Sequence, residues 1–181
     1  MNTKPQRFNV IGQLATLRRY ALSLARNPDD AEDLVHDALV KAYERQVTFR
    51  SGANIRNWLL SIVHNTHIDR LRQSRSQRRR NDAAADIADE AAAPSQEHSV
   101  RLAQVRAAFM ELPEEQREAL HLVAIEELSY QEAAAVLGIP VGTLMSRISR
   151  ARAQLRAIEE SDPASRRGHL KLIGGKRDDD Q

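Results

Sequence analysis

The chain has 181 residues and a mass of 20.4 kDa, enough for one ordinary domain or two small ones and too little for a large multi-domain enzyme. Hydrophobic residues make up 41% and charged residues 29%, so a core can form, while the absence of cysteine removes disulfides, thiolate metal sites and a cysteine nucleophile. Net charge is only +2, from 27 basic and 25 acidic side chains, and its total names no partner until its distribution is read.

Apolar residues recur at spacings of three and four, and period-two β-branched runs are missing, which predicts an all-α chain. Asn27-Pro28 interrupts one helix, and Asp29 is placed to cap the next with Glu32 in the capping-box position. That helix gathers Ala31, Leu34, Val35, Ala38, Leu39, Ala42 and Tyr43 on one stripe and offers Asp30, Asp33, Asp37, Lys41 and Glu44 opposite. A polar loop with Ser51, Gly52 and Asn54 leads into a helix beginning near Asn57. On it Ser61, Asn65, Asp69 and Arg72 form a polar stripe that runs on into Arg75, Arg78, Arg79 and Arg80. Such a stripe either tracks a nucleic-acid backbone or is simply a wet face.

Charge then separates sharply. Residues 72–80 carry five basic groups and no acid, and residues 81–99 carry five acids and no base. Ile87 is the only large apolar residue in 73–99, so that stretch reads as a flexible linker. The expected organisation is two small helical domains, over 1–72 and 100–160, joined by a linker over 73–99 and followed by a mobile tail over 161–181.

In the second domain, Leu112-Pro113 opens a helix through Glu114, Glu115 and Gln116, where acids suit the positive end of the helix dipole. Ser129 and Glu132 form a capping box at the head of a short helix ending at Gly138, and a long helix follows over about 141–156. Ala134, Gly138 and Leu144 have the spacing of a helix-turn-helix, which an ordinary helical hairpin also satisfies. On the second helix Leu144, Ile148, Ala151 and Leu155 fall on one side; Gly142, Ser146, Ser149, Arg150 and Ala153 lie opposite, with Thr143 beside them. Residues 141–156 carry Arg147, Arg150, Arg152 and Arg156 and no acid, whereas 111–132 carry seven acids and only Arg117. This segregation points the arginines at phosphate and leaves Thr143, Met145, Ser146 and Ser149 to touch base edges in a major groove.

These residues resemble the extracytoplasmic-function (ECF) sigma factors of bacterial RNA polymerase. The likeness is carried by DAEDLVHDALVKAYE at 30–44, the F-R-x-G-x-N-x-x-x-W pattern from Phe49 through Trp58 with Asn65 and Asp69 beyond, LPEEQREAL at 112–120, LSYQEAAAVLGIPVGT at 128–143 and SRISRAR at 146–152. It implies region 2 and region 4 domains. The helix bearing Asp30, Asp33, His36, Asp37 and Lys41 would dock on the clamp helices of the polymerase's largest subunit, and region 4 would meet the flap of the second-largest. Phe49, Arg50, Asn54, Trp58, Asn65, Asp69 and Arg72 would contact the minus-ten promoter element, where the loop from Phe49 to Trp58, with Asn65, would hold a flipped base. Thr143, Met145, Ser146, Arg147, Ser149 and Arg150 would read the minus-thirty-five duplex. An anti-sigma factor is a further implied partner. His36 stands where the family often has glutamine, and Met145 where it often has lysine or arginine. LPEEQREAL and LSYQEAA also resemble the general-stress-response subgroup.

Other chemistries are poorly supplied. No GxGxxG or GxxxxGK[ST] can be written, and HExxH and GxSxG are missing, so no enzyme activity, cofactor or metal is expected. His64 and His67, near Asp69, fall short of a hydrolytic zinc centre. No apolar stretch approaches a bilayer span and no signal core opens the chain, so a cytoplasmic location is expected. A stand-alone helix-turn-helix activator and a sigma mimic that captures regulators without DNA are the alternative readings.

Overall fold

The computed structural model describes residues 10–50, 52–80 and 97–161, with 78–80, 97–101 and 158–161 described by backbone alone. Within them lie seven α-helices and no strand: α1 (Leu14–Ala25), α2 (Pro28–Glu44), α3 (Ile55–Arg80), α4 (Glu97–Glu111), α5 (Glu114–Leu120), α6 (Tyr130–Leu137) and α7 (Val141–Ser161). A π turn, His121–Ile125, follows α5 directly. The all-α expectation holds.

Local chemistry sets the boundaries. Arg26 closes α1 in the left-handed region at φ 69°, and Asn27, extended, caps α2 by accepting from the Asp30 N–H at 2.8 Å. The cap is therefore Asn27 and not Asp29. Pro28 lacks an N–H and has its φ preset for the first helical turn, which moves the capping position to the residue before it. Asn54 Oδ1 accepts from the N–H groups of Arg56 and Asn57 at 3.0 and 3.4 Å, so α3 begins two residues earlier than expected.

Helix α3 continues to Arg80, past the expected boundary at 72, and α4 already includes 97–99. The part of the expected linker over 73–80 is thus helical: no glycine or proline interrupts it, and arginine and glutamine are good helix formers. Ser51, residues 81–96, which hold the rest of that stretch, and the tail from 162 lie outside the described residues.

Helices α1–α3 bury Leu17, Tyr20, Leu34, Leu59 and Val63, and the second domain buries Leu112, Leu122, Leu144 and Ile148. Each such side chain removed from water stabilises by about 1.5–3 kcal/mol. The two domains are docked on each other, α1 against α5 and α3 against α6, and one hydrophobic cluster runs through both. Arg117 of α5 ties this junction from inside. Its guanidinium is 1% exposed and donates to Ser23 O and Leu24 O at the end of α1 and, at 2.7 Å, to Leu112 O.

Candidate nucleic-acid interface

The helix-turn-helix forms as its spacing requires. Ser129 Oγ accepts from the Glu132 N–H at 3.3 Å while Glu132 Oε2 accepts from the Ser129 N–H at 3.0 Å, closing the capping box. Helix α6 stops at Gly138, whose φ of 64° suits a residue without Cβ, and Ile139 N–H returns to Ala134 O at 3.1 Å. Buried Ala134 lets α6 approach, and Leu144, Ile148 and Ala151 of α7 are buried beneath it.

The opposite side of α7 is open to solvent. Gly142, Thr143, Met145, Ser146, Ser149, Arg150 and Ala153 are all exposed, Met145 at 52%. Ser146 Oγ donates to Gly142 O at 3.0 Å, which holds its hydroxyl along the helix. Among the described residues Arg150 has no ion-pair partner. Arg147 departs from this group. It is drawn against α5 by Glu115 at 3.0 Å and Glu118 at 3.1 Å, because its position borders the buried 144–148–151 stripe. Five of the six expected duplex-reading residues therefore share one face, and the sixth is held by carboxylates.

In the first domain the rings of Phe49 and Trp58 lie 5.2 Å apart at 57°, closing the loop over Gly52, whose φ is 93°. Trp58 is half-buried against the core, and Asn54 is occupied in capping α3. Arg50, Asn65 and Arg72 are exposed. On α2, Asp33 and His36 are exposed, whereas Asp30 accepts from Asn27 Nδ2 at 2.5 Å. Asp37 pairs with Arg70 at 2.5 Å and Lys41 with Asp69 at 3.1 Å. The face expected to dock and the face expected to meet DNA are therefore stitched together along α2 and α3.

One group of residues went unassigned in the sequence. Glu126, fully buried, receives Arg19 Nε and Nη2 at 3.2 Å each and Arg56 Nη2 at 2.5 Å, with His121 Nε2 at 3.3 Å. Asn57 donates to Glu132 at 2.9 Å; His67 lies 2.9 Å from Glu114 and His64 3.3 Å from Glu118. The two histidines weighed as metal ligands thus face carboxylates of the other domain. The available signal was the run of seven acids over 111–132, which is the mate of cations on α1 and α3.

Burial pushes the Glu126 carboxyl up, but hydrogen bonds from His121 and Arg56 and the charge of Arg19 outweigh it and bring the pKa down to about 2 from 4.5. Its contribution to stability is complete above pH 4.5 and is lost as pH falls toward 2, about 3 kcal/mol. Acid titration followed by circular dichroism should show this loss, and Glu126→Gln should flatten the profile in that window.

Residues 13–77 match the Sigma-70 region 2 family and residues 102–155 the Sigma-70, region 4 family. Over 163 residues the chain is 37% identical to the ECF RNA polymerase sigma factor EcfG of Rhodopseudomonas palustris (strain TIE-1), covering 90% of this chain and 89% of that protein. This chain belongs to the ECF sigma factors. It is also 35% identical to the ECF sigma factor SigM of Mycobacterium tuberculosis (strain H37Rv), across 77% of this chain and 69% of that one. Among solved structures it resembles the sigma factor RpoE of Bartonella quintana, determined in complex with the anti-sigma factor NepR, with TM-score 0.74 and 36% identity over 84% of this chain and 95% of that chain. In this ECF sigma factor region 2 is therefore α1–α3 and region 4 is α4–α7. Membership marks a transcription regulator. No helix among the described residues is long and apolar enough to cross a membrane.

Proposed function

We propose that this ECF sigma factor addresses core RNA polymerase to a defined set of promoters in the cytoplasm, with α7 reading the minus-thirty-five duplex and the Phe49–Trp58 loop capturing a base of the minus-ten element. The outward face of α7 carries this reading. It combines small polar side chains, which can approach base edges, with Arg150, which has no carboxylate partner among the described residues. The tilted Phe49–Trp58 pair supports the second role by giving the loop an aromatic wall beside exposed Arg50. Asp33 and His36 on α2 would meet the clamp helices, and region 4 the flap; the polymerase makes the bonds, with no metal or cofactor from this chain. Likeness to RpoE solved with NepR supports control by an anti-sigma factor, and the LPEEQREAL and LSYQEAA motifs support the general-stress-response subgroup.

A gel-shift comparison with and without core polymerase tests the reading: weak duplex binding by the free chain and strong promoter binding with core are expected, whereas equal binding in both would favour a stand-alone activator. In vitro transcription separates the sigma mimic, which yields no promoter-dependent transcript. Asp33→Lys reverses an exposed charge on the docking face. It should weaken association with core polymerase about tenfold, since misplaced like charge at an interface costs at least 1–2 kcal/mol, and leave upstream-duplex binding unaltered. Unchanged polymerase affinity would remove Asp33 from the docking face.

A further inference from the structure

Over 141–157 the solvent-facing side of α7 carries a single large apolar side chain, Met145, which is 52% exposed. It stands in the second turn of the helix, in the N-terminal part that a helix-turn-helix presents to base edges. Its neighbours on that side do not cover it. Gly142, nearly one turn before it, has no side chain, and a Cβ built there would meet nothing within 4 Å; Ser149, one turn after it, is short and exposed. Ser146 beside it has committed its proton to Gly142 O at 3.0 Å, so its hydroxyl is left to accept.

Met145 does nothing for the fold. It belongs neither to the buried stripe of Leu144, Ile148 and Ala151 nor to the half-buried side chains, such as Val141 and Leu155, that pack on it. In a major groove the thioether meets base edges made of hydrogen-bond donors and acceptors, with one apolar exception: the C5 methyl of thymine. Sulfur in a thioether donates no hydrogen bond and accepts one poorly, while the side chain is flexible and polarizable. Such a group suits a methyl and has little to offer a guanine edge or an exocyclic amine.

We infer that Met145 is a specificity residue that reads a C5 methyl group. With α7 seated in the upstream duplex as proposed, a role on which this inference rests, the thioether packs on one thymine of the element and selects an A·T pair there. The selection comes from apolar surface taken out of water and needs no clash with the other bases. A cytosine carrying the same methyl, 5-methylcytosine, satisfies the contact equally. Thr143, whose own methyl is the competing candidate, is two residues back and about 160° away around the helix, so the two side chains address different base pairs.

The full chain with core polymerase selects its upstream element from promoters randomised over that segment. Each thymine of the selected duplex, on either strand, is then replaced singly by deoxyuridine, which lacks only the C5 methyl. Affinity and protection of the element are measured on the same samples. One replacement should weaken binding about fourfold, the share of one methyl group removed from water, and 5-methylcytosine should bind better than cytosine at that place by a similar factor. In Met145→Ala the difference between thymine and deoxyuridine should vanish, in Met145→Leu it should persist, and in Thr143→Ser it should match the parent. Both side chains are exposed, so none of these substitutions disturbs the core. A protected element with no sensitive thymine, or with equal sensitivity in the parent and Met145→Ala, overturns methyl reading and leaves the role of α7 standing. A protected element without thymine on either strand does the same. An element left unprotected by the parent overturns both.

Discussion

Arg117→Ala should lower the free energy of unfolding by about 3–5 kcal/mol, read as a shift of the urea midpoint at unchanged slope. Arg117 is 1% exposed, and four backbone carbonyls, those of Ser23, Leu24, Met110 and Leu112, accept from its guanidinium. Removing it leaves these acceptors buried without donors, at about 1–3 kcal/mol each before relaxation, and opens a cavity where the side chain stood. Against a total stability of about 5–15 kcal/mol this is a large fraction. Arg117→Lys should recover less than half, since a single ammonium cannot reach carbonyls on two sides as the planar fork does. An unchanged midpoint in Arg117→Ala would mean that water reaches those carbonyls and that Arg117 is no tie between the domains.

Arg150→Glu should weaken the minus-thirty-five contact of the polymerase-bound protein about sixtyfold at 0.1 M salt. Each phosphate neutralised contributes close to one unit to the slope of log affinity against log salt, so losing one contact costs about eightfold at that salt, and a reversed charge costs a comparable factor again. The slope should fall by about one for Arg150→Ala and about two for Arg150→Glu. Ser149→Ala should instead change which base is preferred and leave the slope alone, as expected of a side chain that touches an edge and not a phosphate. Identical salt slopes for the parent and Arg150→Ala would place Arg150 outside the interface.

Much of this could be read in the amino-acid order because it is local. The S-Y-Q-E capping box, Gly138 and the 144–148–151 stripe each act within one helical turn, and α6 and α7 formed where they indicated. The α2 cap was misassigned by two residues because the proline beside Asn27 outranked the carboxylate at Asp29. The Glu126 cluster was illegible for a different reason. Arg19 and Glu126 are 107 residues apart, and nothing in the spacing of either announces the other. In the sequence the acids over 111–132 stand only as a contrast to the acid-free segment of α7, and only the fold shows that Glu126 meets α1 and that Glu114, Glu118, Glu126 and Glu132 meet α3. The partners of Arg147 were hidden for the same reason: a helical wheel places it on the flank of the buried stripe, but the pull of Glu115 and Glu118 depends on where α5 lies.

Helix α3 spans 26 residues without a break, about 39 Å of rod. The Phe49–Trp58 loop is fused to its head, His64 and His67 grip region 4 from its middle, and Asp69 and Arg70 clasp α2 just beyond. A stiff spar with three attachments cannot yield at one of them alone: a tilt of 10° about its middle displaces each tip by roughly 3 Å. On the proposed roles, seizing a base and seating on the enzyme are thus registered on a single beam, so the order of these events becomes a question of leverage.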